Sequence, residues 1–363
     1  MWDLAVREED YKGIDAMLAR FRGRPPLSLR LLPAAARSDT ASMRDLLAEG
    51  RTLESRQLQI AARYAASYLE DFGLADSLAR LDLQWRERPA NRVAAQLLLA
   101  GLAAAGGRWS AAREAFRTTS SMESAGALVV ELAIAATLPL QPVPSEDLRT
   151  IHEAVARWDP SAPQTGASLT SALQPHLRHY LLGLLSSRMG DAEAAERAAK
   201  SIENLPAPPR GQAVAASLAA TVRADVAWMQ NRHRDVLQAL ERANPRIPLE
   251  LIAVSRAAHF REYGLEHARY LRAAAEGALG RDSEALTWLR YGLRGSPQEY
   301  LYHGPVHVQL GNAFERLGHP DSAALHYRRF LELWSRADSA AAPVLGEVRR
   351  RLARIDGGSG SAR

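Results

Sequence analysis

Residues 310–334 read LGNAFERLGHPDSAALHYRRFLELW and consist of two helical runs separated by Gly318. Glycine adopts the left-handed conformation that ends a helix without the steric penalty of a Cβ atom. Gly311 and Ala323, on either side of the turn, are small enough to let two helix axes approach closely, and Tyr327 fills the groove between them. The stretch therefore predicts an antiparallel helical hairpin.

The same spacing recurs around three other glycines, Gly107, Gly190 and Gly280. A small residue lies five positions after and seven positions before each of the four turn glycines. These residues are Ala112, Ala195, Ala285 and Ala323 after the turn, and Ala100, Gly183, Ala273 and Gly311 before it. Asn231, with Leu240 nine positions later, is predicted to form the turn of a further hairpin. Repetition on this scale is typical of helical repeat proteins.

A single hairpin leaves one apolar face uncovered, so successive hairpins have to stack. The sequence therefore predicts an all-α fold, an α-solenoid of stacked antiparallel helical hairpins, over residues 1–356. The Pro-rich segment 139–164 is a candidate boundary within it, and residues 357–363 are predicted to be a disordered Gly/Ser tail. The most apolar stretch, residues 125–140, is interrupted by Glu131 and too short to cross a bilayer, so we expect no membrane span.

Composition and charge exclude several classes of protein. The 363 residues contain no Cys, which rules out disulfide scaffolds and metal sites built on thiolates. The formal net charge is +5, and residues 341–363 contribute much of it, because they hold five Arg against one Glu and one Asp. Binding a phosphate backbone requires several cations on one face. We therefore expect no nucleic-acid partner.

The repeat pattern resembles that of the tetratricopeptide repeat family. Leu310-Gly311, Phe314, Gly318, Ala323 and Tyr327 match its consensus, and the segments around Gly107, Gly190 and Gly280 match it in part. The resemblance implies a curved stack of helical hairpins that binds a peptide or another protein.

The whole chain also resembles the helical region that follows the catalytic domain in certain large bacterial serine/threonine protein kinases. Residues 179–185, HYLLGLL, and residues 324–334, ALHYRRFLELW, carry this resemblance. It implies a regulatory role in a signalling protein rather than catalysis.

Two tripeptides match kinase motifs without the arrangement that a kinase requires. Residues 71–73 read DFG and residues 233–235 read HRD. In a kinase the HRD loop comes first, and an Asn that binds the second metal lies five positions after its Asp. Here the order is reversed, and Leu240 occupies that position. We therefore expect no kinase activity in this chain.

No other catalytic or metal-binding pattern is convincing in the sequence. His176 with His179, and His303 with His307, have helical spacing, but neither pair has an acidic third ligand at a fixed interval. A Gly-x-Ser-x-Gly nucleophile motif on a strand-to-helix turn is missing as well. We expect no catalytic residue, cofactor or metal, with an enzyme of unrecognised site as an alternative.

In stacked hairpins the first helices line a concave groove suited to an extended peptide. Tyr180 and Tyr270 lie ten positions before their turn glycines and are predicted to face this groove, where tyrosine supplies flat contact area and a hydroxyl group. Arg188, Asn312 and Arg316 are predicted to hold backbone or carboxylate groups of the peptide.

The function expected from the sequence is a non-catalytic protein-protein interaction or sensory module of a bacterial signalling protein, with a peptide or protein partner. The regulatory region of a transcription regulator is an alternative. We expect a cytoplasmic location, or an extracytoplasmic one if a membrane span precedes this segment in the native gene.

Overall fold

The computed structural model describes residues 10–50, 56–85, 89–119, 125–160, 169–243, 266–292 and 299–359. These residues form α-helices joined by short connections, and no strand occurs among them, which confirms the all-α prediction. The helices are α1 (Tyr11–Ala19), α2 (Leu27–Ala36), α3 (Thr40–Gly50), α4 (Arg56–Tyr68), α5 (Phe72–Trp85), α6 (Pro89–Ala105), α7 (Trp109–Thr119), α8 (Ala125–Thr137), α9 (Ser145–Arg157), α10 (Leu169–Arg188), α11 (Ala192–Asn204), α12 (Gln212–Met229), α13 (His233–Leu240), α14 (His267–Ala278), α15 (Asp282–Gly292), α16 (His303–Arg316), α17 (Pro320–Leu333) and α18 (Ala342–Ser359). Short 3₁₀ turns cover Glu299–Tyr302 and Ser339–Ala341.

Five hairpins share one turn geometry. The four predicted turn glycines and Asn231 have left-handed φ angles, with values of 71°, 81°, 76° and 74° at the glycines in chain order and 57° at Asn231. At Gly107, the amide of Arg108 donates to Ala103 O over 2.9 Å and the amide of Gly107 donates to Ala104 O over 2.9 Å. The other four turns repeat this pair of bonds, which satisfies carbonyls at the end of the first helix.

Small residues occupy the helix crossings, as predicted. Ala112, Ala195 and Ala323 are fully buried, and Ala285 is 1% exposed. A Cβ atom added to Gly311 would overlap the buried ring of Tyr327, so this crossing requires glycine. The close approach of the two axes therefore depends on the absence of a side chain at one position.

Consecutive helices pack against each other along the described chain, giving a helical-repeat-like arrangement. The main hydrophobic core extends from Leu27 to Ala313 and includes residues on both sides of the Pro-rich segment 139–164. The last helix continues to Ser359, so the first three residues of the predicted tail 357–363 are helical, and residues 360–363 lie outside the described part. In the described ranges, no helix has both the length and the apolar character needed to cross a bilayer.

The C-terminal hairpin, α16 and α17, also packs against helices near the start of the chain. The indole Nε1 of Trp334 donates to Ala105 O over 2.9 Å, and the amide of Asp338 donates to Gly107 O over 3.1 Å. The carboxylate of Asp338 accepts from the amide and the hydroxyl of Ser110 over 2.7 and 2.8 Å. The sequence pattern predicted contacts between neighbouring hairpins and did not predict this return contact.

The turn at Asn231 gives a first prediction. We expect Asn231→Gly to raise the free energy of unfolding by about 0.5 kcal/mol, because glycine enters the left-handed region more easily than any residue with a Cβ atom. Gln230→Gly, one residue earlier and at a negative φ of −94°, is the matched control and should lower it. Urea unfolding of the three proteins measures both effects, and equal changes in the two variants would contradict the assignment of the turn.

Candidate functional site

The structure corrects the prediction that Tyr180 and Tyr270 face an open groove. Tyr180 is fully buried and Tyr270 is 5% exposed. Burial raises the pKa of both hydroxyl groups, because the tyrosinate form loses its hydration. A peptide cannot contact either ring in this conformation.

The chain itself covers the face that these tyrosines were predicted to line. Tyr300, Leu301 and Tyr302 of the 3₁₀ turn are buried, and the ring of Tyr302 lies 6.2 Å from the ring of Tyr270. On the same turn, the ring of Tyr300 meets Phe72 edge-on at 6.4 Å and its hydroxyl packs against the backbone of Gly101. The surface that an open stack would offer to a peptide is therefore occupied by the protein's own side chains.

The three polar residues predicted to hold a peptide have partners within the chain. The guanidinium of Arg188 donates to Leu138 O and Gln141 O over 3.0 and 2.8 Å. Asn312 accepts from the hydroxyl of Tyr327 over 2.9 Å. Arg316 pairs with Asp282 over 2.6 Å. Arg188 lies near Tyr270, whereas Asn312 and Arg316 belong to other contacts, so the five predicted residues do not form one site.

A buried polar cluster joins α12, α14 and the 3₁₀ turn. His267 Nε2 lies 2.9 Å from Asp225 Oδ1, and His267 Nδ1 lies 3.3 Å from the hydroxyl of Tyr302. These three residues, which we call the central cluster, are each no more than 4% exposed. Burial alone would raise the pKa of Asp225, but the hydrogen bond from His267 and the nearby charge of Arg188 hold it below its usual value.

An aspartate, an imidazole and a hydroxyl in series can relay a proton, as in serine hydrolases. Such a relay could act in catalysis only if a substrate could reach the hydroxyl of Tyr302. The cavity beside Tyr302, bounded by Arg269, Trp288 and Val306 among others, has a volume of about 10 Å³, which admits one water molecule at most. This cavity is too small for a substrate, and the central cluster ties α12, α14 and the 3₁₀ turn together.

A second polar cluster lies where the C-terminal hairpin meets the turn between α4 and α5. His307 Nε2 lies 3.0 Å from Glu70 Oε2, and His307 Nδ1 lies 2.9 Å from His326 Nδ1. Arg329 Nε donates to the same Glu70 oxygen over 2.6 Å, and its Nη2 donates to Leu69 O over 2.8 Å. We call Glu70, His307, His326 and Arg329 the clasp, because they join residues more than 230 positions apart in sequence.

A cleft of about 610 Å³ opens beside the clasp, and we call it the junction cleft. Its walls come from residues 69–77 at the start of α5, from the turn at 106–108, and from residues 329–336 at the end of α17. Charges of both signs line it: Glu70, Asp71, Asp76 and Glu332 are acidic, and Arg108, Arg329 and Arg336 are basic. Its size is in the usual range for a ligand site.

Most of these charges are paired with each other. Arg329 pairs with Glu70 and Glu332, and Arg108 lies 3.9 Å from Asp76. Asp71 caps α5 by accepting from the amide of Leu74 over 2.8 Å and is otherwise exposed. Arg336 is exposed and makes no ion pair in the described part of the chain. A partner in the cleft would therefore meet the exposed guanidinium of Arg336, just after α17, and the exposed carboxylate of Asp71, at the start of α5.

The kinase-like tripeptides serve as helix starts in this fold. Asp71 is the cap just described, and Phe72 packs against Tyr300. Asp235 pairs with Arg232 over 2.6 Å in the first turn of α13. Among the described residues, no group of three or more His, Asp or Glu side chains is arranged to hold a metal ion.

Sequence reasoning missed the central cluster, although one signal was present. Leu218, Val222 and Asp225 follow a spacing of four and three residues, which places the carboxylate on the apolar face of α12. A carboxylate on such a face needs a partner, because burying an unpaired charge is costly. The partner, His267, could not be found from sequence, because it lies 42 positions away.

No protein-family model matches this chain, and no curated protein shows significant similarity to it.

Proposed function

We propose that this chain is a non-catalytic module that binds a peptide or protein partner, built as a tetratricopeptide-like solenoid whose C-terminal hairpin returns to helices near its start. The repeated hairpin turn is the observation that carries the proposal, since five turns have the same left-handed residue and the same pair of backbone bonds. Proteins built from such repeats present an extended surface to a partner.

The junction cleft is the surface that we assign to the partner. The face predicted to carry Tyr180 and Tyr270 is covered by residues 300–302, so these two rings offer no contact area. The junction cleft is open to solvent, has a volume of about 610 Å³, and carries Arg336 and Asp71 as exposed charges without a charged partner in the described chain. A short polar segment with both charge signs fits these walls better than an apolar helix would.

The place of the module in bacterial signalling is supported by its resemblance to kinase-associated helical regions. Residues 179–185 lie in α10, and residues 324–334 lie in α17 and its C-terminal cap, Trp334. α17 also supplies Arg329 to the cleft and the clasp. The proposed binding surface thus includes one of the two segments that resemble the kinase-associated regions.

A random peptide library displayed on phage and selected against the full chain tests this proposal. We expect convergent sequences, and we expect Arg336→Ala to weaken their binding about tenfold, because a hydrogen bond to a charged group contributes about 1.5 kcal/mol or more. Arg197→Ala, at an exposed arginine on α11 whose partner Glu193 is 3.7 Å away, is the matched control and should change nothing. Convergent peptides that bind the Arg336→Ala variant as well as the original chain would refute the cleft, and no convergence would refute the module.

A further inference from the structure

The clasp has an unusual hydrogen-bond requirement. His307 Nδ1 and His326 Nδ1 are 2.9 Å apart, so one of them has to carry a hydrogen and the other has to present a lone pair. His307 Nε2 donates to Glu70, and the ring of His326 is stacked on Phe314 with the planes 6° apart and the centroids 5.5 Å apart. If both imidazoles became imidazolium ions, two N–H groups would face each other at this distance and the bond would be lost.

We infer that the clasp is a proton-operated switch, in which uptake of a second proton by the His307–His326 pair loosens the C-terminal hairpin from the α4–α5 turn and widens the junction cleft. The inference does not require that any partner binds there.

The charges around the pair favour the closed form at neutral pH. Glu70 faces His307 from the α4–α5 turn, and Arg329 of α17 binds the same carboxylate and also Glu332. His303 of α16 acts on Glu70, and Arg290 of α15 acts on His326. His319 meets the edge of Phe314 at 6.2 Å. Glu70 is thus the only carboxylate in direct contact with the imidazoles among the described residues.

These surroundings set the direction of the pH effect. Burial, together with the charges of His307 and Arg290, lowers the pKa of His326 to about 4 from its ordinary 6.5. Burial would raise the pKa of Glu70, but His307, His303 and Arg329 outweigh burial and hold it well below its ordinary value.

A histidine with a lowered pKa stays neutral in the closed form and takes up a proton on opening. Lowering the pH below 6.5 therefore favours the open form. The opening equilibrium stops rising near pH 4, where His326 is protonated in the closed form as well. Glu70 acts in the same direction, but only below its ordinary pKa of 4.5. Between pH 6.5 and 5 the effect therefore comes from His326, and over this interval we expect the opening equilibrium to rise about tenfold.

Bonds that involve no histidine also join the end of the hairpin to the early helices. They include the bond from Trp334 to Ala105 and the bonds of Asp338 to Ser110 and Gly107. These bonds hold the C-terminal end of α17 in place while the clasp opens, so this end acts as the hinge.

Hydrogen–deuterium exchange of the full chain tests the switch. The amide of Asp71 donates to Ala65 O over 3.0 Å next to the clasp, and we expect the protection factor of residues 65–74 to fall about tenfold between pH 7.5 and 5. His326→Gln, which keeps a donor and an acceptor but does not titrate, should abolish this fall. His319→Gln removes the exposed histidine beside Phe314 and should leave the fall intact.

Two further measurements keep the test decisive. The chain has no Cys, so Ser77→Cys on α5 with Leu325→Cys on α17, both exposed and the second next to His326, supplies a unique pair for spin labels. The inter-label distance should lengthen at pH 5. Side-chain NMR of the original protein should give His326 a titration midpoint below 5. Unchanged protection at pH 5, a pH response retained in His326→Gln, or a midpoint near 6.5 would each overturn the switch.

Discussion

Replacing Gly107 with alanine is expected to lower the free energy of unfolding by about 3 kcal/mol, whereas the same change at Gly190 should cost about 1 kcal/mol. Both glycines have a left-handed φ, 71° and 81°, so a Cβ atom strains the backbone at either turn. The difference lies in what surrounds them. An added Cβ atom at Gly107 would lie 2.7 Å from the ring of Trp334, while nothing lies within 4 Å at Gly190.

The comparison isolates the return contact of the C-terminal hairpin. Trp334 is 1% exposed and packs on the Gly107 turn, so the extra cost at Gly107 measures a contact across 227 positions of sequence. Denaturant unfolding of both variants, each followed by far-ultraviolet circular dichroism, gives the two free energies. Equal losses in the two variants would mean that Trp334 does not pack against this turn in solution.

The hairpins could be predicted from the sequence because their determinants are local. A glycine that ends a helix and a small residue at the crossing act within about twelve residues of each other, and each has one dominant structural role. The prediction held for Asn231 as well, whose turn repeats the bonds of the glycine turns. Stacking of neighbours follows from the uncovered apolar face of each hairpin.

The environment of Tyr180 and Tyr270 could not be predicted in the same way. Their helical positions predicted that they face an open groove, but both side chains are buried. The pattern does not say what covers the face. Residues 300–302 cover it, and the sequence offered no signal for this, because a four-residue 3₁₀ turn has no periodicity of its own.

Candidate sites were harder still to predict from the sequence. The spacing of His303 and His307 suggested a local pair, yet His307 contacts Glu70, 237 positions away. Contacts over such distances arise from the return of the chain on itself, and hydrophobic periodicity does not encode them. The clasp and the junction cleft are both products of that return.

The largest single effect that we expect comes from His267→Leu, which should lower the free energy of unfolding by about 3–5 kcal/mol, because it leaves the buried carboxylate of Asp225 without its main partner. Asp225→Leu should cost less, since a neutral imidazole that keeps its contact with Tyr302 is easier to bury than an unpaired carboxylate. The double variant should be more stable than His267→Leu alone, because no unpaired charge remains in the interior.

Urea unfolding at pH 7.5 of the original protein, the two single variants and the double variant gives the coupling energy between Asp225 and His267. The exposed pair of Glu193 and Arg197, with side chains 91% and 68% exposed, is the matched control, and we expect a coupling of less than about 0.5 kcal/mol there. Asp225 and His267 belong to helices α12 and α14, so a strong coupling would show that the central cluster fixes their relative position. If the loss in the double variant instead equalled the sum of the two single losses, the coupling energy would be zero. The 2.9 Å contact would then contribute nothing to the stability of the fold.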